Sequence, residues 1–151
     1  MKENEMLSSL EIRRVISSDP SSVFDALTNP KTMAEWFYGM EEGRAEVDSD
    51  LRIGGTYEIR MFNKEGVASL CADYAPHGEY LEIDPPNRLA FTWVSEGFVD
   101  HSVVTIDLKP VDDGTELTLR HDLPESVAGE HEGGWNNCLN HLVDVLAAKS
   151  R

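Results

Sequence analysis

One apolar stripe near the C-terminus limits most of what this chain can fold into. Trp135, Leu139, Leu142, Val143 and Leu146 fall at i, i+4, i+7, i+8 and i+11, and no Gly or Pro interrupts the run after Gly134. That is the spacing of one helical face, and such a face has to be buried on something. The material available to cover it lies upstream, where residues 44–121 alternate with period two in place of helical spacing. A single long helix therefore has a sheet to pack against.

The strands are legible one by one. In SLEIRRVIS, Leu10, Ile12, Arg14 and Ile16 oppose Glu11, Arg13 and Val15. RAEVD is short and alternating, and GGTYEIRMF sets Tyr57, Ile59 and Met61 against Thr56, Glu58 and Arg60. NKEG then reads as a hairpin turn, with Gly66 where positive φ is needed. VASLCADYAPHGEYLEI is a long strand, expected to bend or bulge near Pro76 and Gly78. After the DPPN turn, RLAFTWVS presents Leu89, Phe91 and Trp93 on one face, and SVVTIDLKP presents Val104, Ile106 and Leu108. After DDG, TELTLRH presents Leu117, Leu119 and His121. Between the first strand and the others, Asp19-Pro20 and Asn29-Pro30 each pair an N-cap residue with a proline at the first helical position. Two such starts in succession predict two short helices, apolar at Val23, Phe24 and Leu27, then at Met33, Trp36 and Phe37.

The order is thus strand, two short helices, about six antiparallel strands and a long helix, an α+β arrangement in one layer pair. An antiparallel sheet of that size twists and curls, and one helix covers only part of its concave face. The space between them is expected to be a mostly apolar pocket with a few polar groups, partly closed by the short helices. With 151 residues and no linker or repeat, the chain reads as one domain over 9–149, with a polar, frayed segment at 1–8.

Charge narrows the partners. The balance of 13 basic and 28 acidic residues gives a net charge of −15, which repels phosphate backbones and anionic membranes. Neither nucleic acid nor membrane insertion is expected. The N-terminus lacks the apolar core of a signal peptide, and Cys71 and Cys138 have no paired spacing, so a cytoplasmic protein with reduced thiols is expected.

Four stretches in this order, DLRIGGTYEIRM, GEYLEIDPPNRLAFTW, GTELTLRHDLP and HEGGWNNCLNHL, resemble the motifs of the START-like (SRPBCC) superfamily. The similarity is to the branch named for homology to the C-terminal domain of the heat-shock protein 90 ATPase activator, and it spans roughly residues 10–147. It implies a helix-grip fold, a seven-stranded curved antiparallel sheet wrapped around a long C-terminal helix. It also implies a setting in which lipids, sterols, polyketides and other apolar ligands are bound, some superfamily members being cyclases or hydrolases. The eukaryotic activators carry a further N-terminal domain that drives chaperone binding. This chain has no counterpart to it, so a chaperone contact is not the expected role.

No catalytic constellation is visible. His131 and His141 would lie about 80° apart around a helix at ~100° per residue, not at the i, i+4 spacing of two ligands on one face. His77, His101 and His121 form no spaced set, and neither a metal nor another cofactor is expected. Gly133-Gly134 lacks the phosphate-loop pattern and is expected to let the helix start pack closely, while Gly54-Gly55 suggests a bulge or backbone crossing. Ser69, Ser95 and Ser102 sit in no nucleophile elbow.

The aromatic set is the better signal. Trp36, Phe37, Tyr57, Met61, Tyr74, Phe91, Trp93 and Trp135 are candidate ligand contacts, with Leu139 and Val143 on the helix. Roughly half of the aromatic set is expected to fill the core and half to line a pocket. The resemblance places His121 at the end of the last strand and His131 just before the helix, both beside the pocket mouth. The expected function is binding of a small apolar or amphipathic ligand between sheet and helix. A cyclase- or hydrolase-type enzyme using His121, Tyr74 or Arg60 is one alternative, and a protein-binding module is another. Dimerisation through strand edges stays open.

Overall fold

The computed structural model describes residues 7–63, 74–94 and 102–149. The elements follow the order read from the sequence: β1 (Leu7–Ile16), α1 (Pro20–Thr28), α2 (Pro30–Trp36), β2 (Gly43–Ser49) and β3 (Thr56–Asn63). They continue as β4 (His77–Asp84), β5 (Arg88–Trp93), β6 (Ser102–Val111), β7 (Gly114–Pro124) and α3 (Glu125–Lys149). The strands form one antiparallel sheet of seven in the order β1-β7-β6-β5-β4-β3-β2, curled into a half-barrel. Expectations that fall on 64–73 and 95–101, among them the turn at Gly66, the thiol of Cys71, Ser69, Ser95 and His101, lie outside the described residues. So does most of the frayed segment, although Leu7 and Ser8 already belong to β1, paired with Pro124 and Leu123.

Alternation put the right residues inside. Leu10, Ile12 and Ile16 of β1, Tyr57, Ile59 and Met61 of β3, and Leu89, Phe91 and Trp93 of β5 are all buried. Val104, Ile106 and Leu108 of β6 and Leu117, Leu119 and His121 of β7 join them. Arg14 also points inward, yet it keeps its charge satisfied at the rim by donating to the Asn136 Oδ1 on α3 at 2.8 Å. That bond ties the first strand to the last helix. α3 packs against β1, β7 and the two short helices, while α2 covers β2 and α1 reaches β6 and β7.

Several local expectations need correction. Asp19 occupies the N-cap of α1, but its side chain makes no capping bond; Asn29 does cap α2, accepting from the Lys31 N–H at 3.0 Å. The bulge in β4 falls between Tyr80 and Glu82, two residues beyond the expected site, and it turns Leu81 to solvent. Gly78 serves close approach: a Cβ there would sit 2.0 Å from the Thr92 carbonyl oxygen. Gly78→Ala is therefore expected to cost about 1–3 kcal/mol, because strand backbone has to move to relieve the overlap. An unchanged urea midpoint would refute that reading. The Gly54-Gly55 pair does carry the backbone across: Gly54 has φ +83°, its N–H donates to the Tyr80 carbonyl, and the Tyr80 N–H donates to the Gly55 carbonyl, both at 2.9 Å.

The largest revision concerns α3. It starts at Glu125, so His131, Gly133 and Gly134 lie within the helix and not ahead of it. Gly134 still acts in packing, since a Cβ on Gly39 would lie 3.2 Å from the Gly134 Cα, whereas a Cβ on Gly133 would meet nothing within 4 Å. Among the described residues, no helix is long and apolar enough to cross a membrane.

Candidate functional site

The concave face of the sheet meets α2 and α3 over a continuous set of rings. Phe37, just past the end of α2, stacks on Trp36 (centroids 4.4 Å apart, planes at 15°) and lies 6.0 Å from Trp93 and 5.5 Å from Trp135. Trp93 and Trp135 are 5.1 Å apart, which joins β5 to α3 directly. On the other side, Phe91 meets Tyr57 edge-on at 5.3 Å. Offset and edge-on contacts of this kind add to the area they bury.

Among the described residues, one interior cavity is small. A cavity of about 10 Å³ is lined by Trp36, Phe37, Tyr57 and Phe91 together with Leu27, Met33, Ile59, Tyr80, Leu89 and Ile106. That volume is the room of roughly one water molecule. Of the sequence candidates, four line this cavity. Trp93, Trp135, His121 and His131 form a second cluster joined to it through Phe37 and Phe91. Leu139 is buried in the core and Val143 is half-buried against it. Met61 is buried on β3, where its backbone bridges to that of Tyr74.

The second cluster contains a thread of hydrogen bonds. Trp135 Nε1–H donates to His121 Nδ1 at 3.0 Å. Indole is a donor and never an acceptor, so Nδ1 carries no hydrogen and the neutral ring holds its proton on Nε2. That nitrogen faces Ser102 Oγ at 2.8 Å, and the Ser102 hydroxyl donates onward to the Trp93 carbonyl at 3.0 Å. Every polar atom of the thread is satisfied, as burial in an apolar setting requires. The Trp93 indole N–H in turn donates to the half-buried Tyr74 hydroxyl at 3.2 Å.

Burial sets the protonation states. His121 is fully buried, and loss of hydration, with the ring of His131 beside it adding to the effect, drops its pKa from 6.5 to about 3. It stays neutral at pH 7. Burial pushes the Tyr57 hydroxyl far above its usual range, and this group donates to the Thr92 carbonyl at 2.6 Å. The Cys138 thiol is likewise pushed up by burial, which keeps it protonated and unreactive. Burial also raises the Tyr38 hydroxyl, with Cys138 and Asp144 contributing.

Three expected placements change. His121 lies at the centre of the interior and not at a mouth; His131 sits in the second turn of α3, half-buried, its ring edge-on to His121 at 5.3 Å. Arg60 is outside altogether. It is on the convex face of β3, ion-paired to Asp48 at 2.9 Å and to Glu58 at 2.5 Å, because alternation sends it opposite to Ile59 and Met61. Sequence reading missed Ser102 as a partner of His121, since register across β6 and β7 is needed to bring them together. Among the described residues, no group of three or more His, Cys, Asp or Glu is placed to hold a metal ion.

Comparison with known proteins matches this architecture. A protein from Chromobacterium violaceum has a TM-score of 0.77 at 25% identity, over 91% of this chain and 95% of that one. An AHSA1-like protein from Aeromonas hydrophila has a TM-score of 0.79 at 21% identity, covering 95% and 94%. DynU16 has a TM-score of 0.72 at 18% identity, with 92% of this chain lying over 47% of that longer one. No curated protein sequence matches the chain. The model of one family, described as activator of Hsp90 ATPase homolog 1-like protein, matches residues 17–147. The sheet, the helix it grips and this match over nearly the whole length agree, and the chain belongs to the activator of Hsp90 ATPase homolog 1-like family.

Proposed function

We propose that the protein binds a small apolar or amphipathic molecule between the sheet and α3, in the space now held by the rings of Phe37, Trp93 and Trp135. The observation that carries this reading is the His121 thread. A core built for stability alone gains little from a histidine held neutral by burial and satisfied by two neighbours, since apolar residues of similar volume fill such space at less cost. A ligand with one polar end and an apolar body is the chemistry that an aromatic interior with a few fixed polar groups suits. DynU16, a protein in the dynemicin biosynthetic locus, shares the fold, which is in keeping with a small-molecule setting.

A cyclase-like reaction with His121 as general base fits less well. Its pKa of about 3 is far from the working range of such a base at neutral pH, and both ring nitrogens are already engaged. Arg60, on the convex face, is too far round the sheet to serve. Binding without chemistry is therefore the reading we adopt.

Mass spectrometry of the purified protein under native and denaturing conditions tests it. The expected result is a stoichiometric adduct released on denaturation, or saturable shifts of the Trp36, Trp93 and Trp135 indole N–H signals on titration with decanoate or a naphthalene probe. A bare chain mass together with unmoved indole signals for both probes would remove the proposal.

A further inference from the structure

Among the described residues, the small size of the cavity between sheet and helices raises the question of how anything enters. The segment between α2 and β2, residues 37–42, has no regular secondary structure and lies across the α3 helix. Its fastenings to α3 are specific. Gly39 packs on Gly134 closely enough that a Cβ would sit 3.2 Å from the Gly134 Cα. Asn137 Nδ2 donates to the Gly39 carbonyl at 2.9 Å, His141 Nε2 donates to the Met40 carbonyl at 2.7 Å, and the Tyr38 ring stacks on His141 at 4.1 Å. Residues 134, 137, 138 and 141 recur at i, i+3, i+4 and i+7, so all four fall on one stripe of α3. The strap is fastened to that stripe largely by side chains reaching its backbone carbonyls.

The strap also separates two spaces. Phe37 lines the 10 Å³ interior cavity, while its neighbour Tyr38, with Arg44, His141 and Asp144, lines an external groove of about 490 Å³. Consecutive residues thus face the inside and the outside. Moving the strap withdraws the Phe37 ring from contact with Trp36, Trp93 and Trp135. A vacated phenyl ring leaves on the order of 100 Å³, the scale at which an apolar cavity accepts a benzene-sized guest.

We propose that this strap is the gate of the interior, with Phe37 as its plug and Asn137 and His141 as its clasp, so that ligand enters from the groove beside Tyr38. The proposal rests on the ligand-binding reading above, but its test does not. Cys138 is buried on the same stripe as the clasp and is a free thiol. In a Cys71→Ser background it is the chain's sole thiol, since the sequence has 2 cysteines. Its rate of reaction with a chromogenic disulfide reagent then reports strap opening.

Asn137→Ala with His141→Ala is expected to raise that rate roughly tenfold or more, the ratio implied by losing two net hydrogen bonds. The rate should depend only weakly on urea, because local opening exposes little surface. An unchanged rate, or one that carries the full urea dependence of global unfolding, would overturn the gate. Binding of the dye 1-anilinonaphthalene-8-sulfonate separates the two ideas. Faster thiol reaction with faster dye entry supports both. Faster thiol reaction with no dye bound in either form supports the gate and counts against the ligand reading. Equal dye binding with equal thiol rates removes the gate and leaves the ligand reading standing.

Discussion

Replacing Trp135 with alanine is expected to lower the free energy of unfolding by about 5 kcal/mol. Two effects add. Deleting a buried indole costs about 3–5 kcal/mol through lost transfer energy and the cavity left behind. The same deletion removes the N–H that His121 Nδ1 accepts, stranding a buried acceptor at a cost of about 1–3 kcal/mol. Domains of this kind have about 5–15 kcal/mol in total, so a large part of the stability is at stake. Trp135→Phe separates the contributions. It keeps most of the ring, loses the donor and is expected to cost about 1–3 kcal/mol. It also frees the histidine tautomer, which the nitrogen chemical shifts of His121 would record. A loss below about 2 kcal/mol in Trp135→Ala, by urea denaturation, would mean that the indole is not the keystone its contacts suggest.

The second large effect is with pH. In the unfolded chain His121 titrates near 6.5, and in the folded protein near 3. Between those values the unfolded state binds a proton that the native state refuses, so stability rises with pH across this window and falls as acid is added. The slope is roughly 1.4 kcal/mol per pH unit, and the accumulated loss from pH 6.5 down to pH 3 is on the order of 4 kcal/mol. Above pH 6.5 the group is neutral in both states and contributes no slope. Carboxylates with depressed pKa values, Glu11 and Glu46 among them, are also lost in acid, so the test is a difference. His121→Gln is expected to start lower at neutral pH and to lose less stability on acidification by about one proton's slope. Parallel curves for the two proteins between pH 6.5 and pH 3, or a His121 resonance titrating near 6.5, would show that the ring is hydrated after all.

Much of the site was already readable. Period-two alternation assigned Tyr57, Phe91 and Trp93 to the inner face, and every one of them is buried there. Helical spacing assigned Trp135 and Leu139, and both are buried too. The same alternation sent Arg60 outward with Thr56 and Glu58, so naming it as an interior candidate ran against its own periodicity.

Other features had no local signature. Sequence reading puts His131 just ahead of the helix, whereas α3 already begins at Glu125, and the packing of Gly39 against Gly134 accounts for the second of the two glycines inside it. The bulge at Tyr80 and Glu82 depends on how β4 registers against β5, a relation between segments.

From the sequence alone came the order of elements, the inward face of each strand and the need for a helix over a curled sheet, because side-chain periodicity is a property of each segment by itself. The His121 thread, the small cavity among the described residues and the strap clasped to α3 came from the tertiary structure. The thread and the strap depend on residues 9 to 101 positions apart in the chain, as with Ser102 and Trp93 or His141 and Met40. Contacts at such separations are fixed by sheet register and helix placement, which no local pattern records.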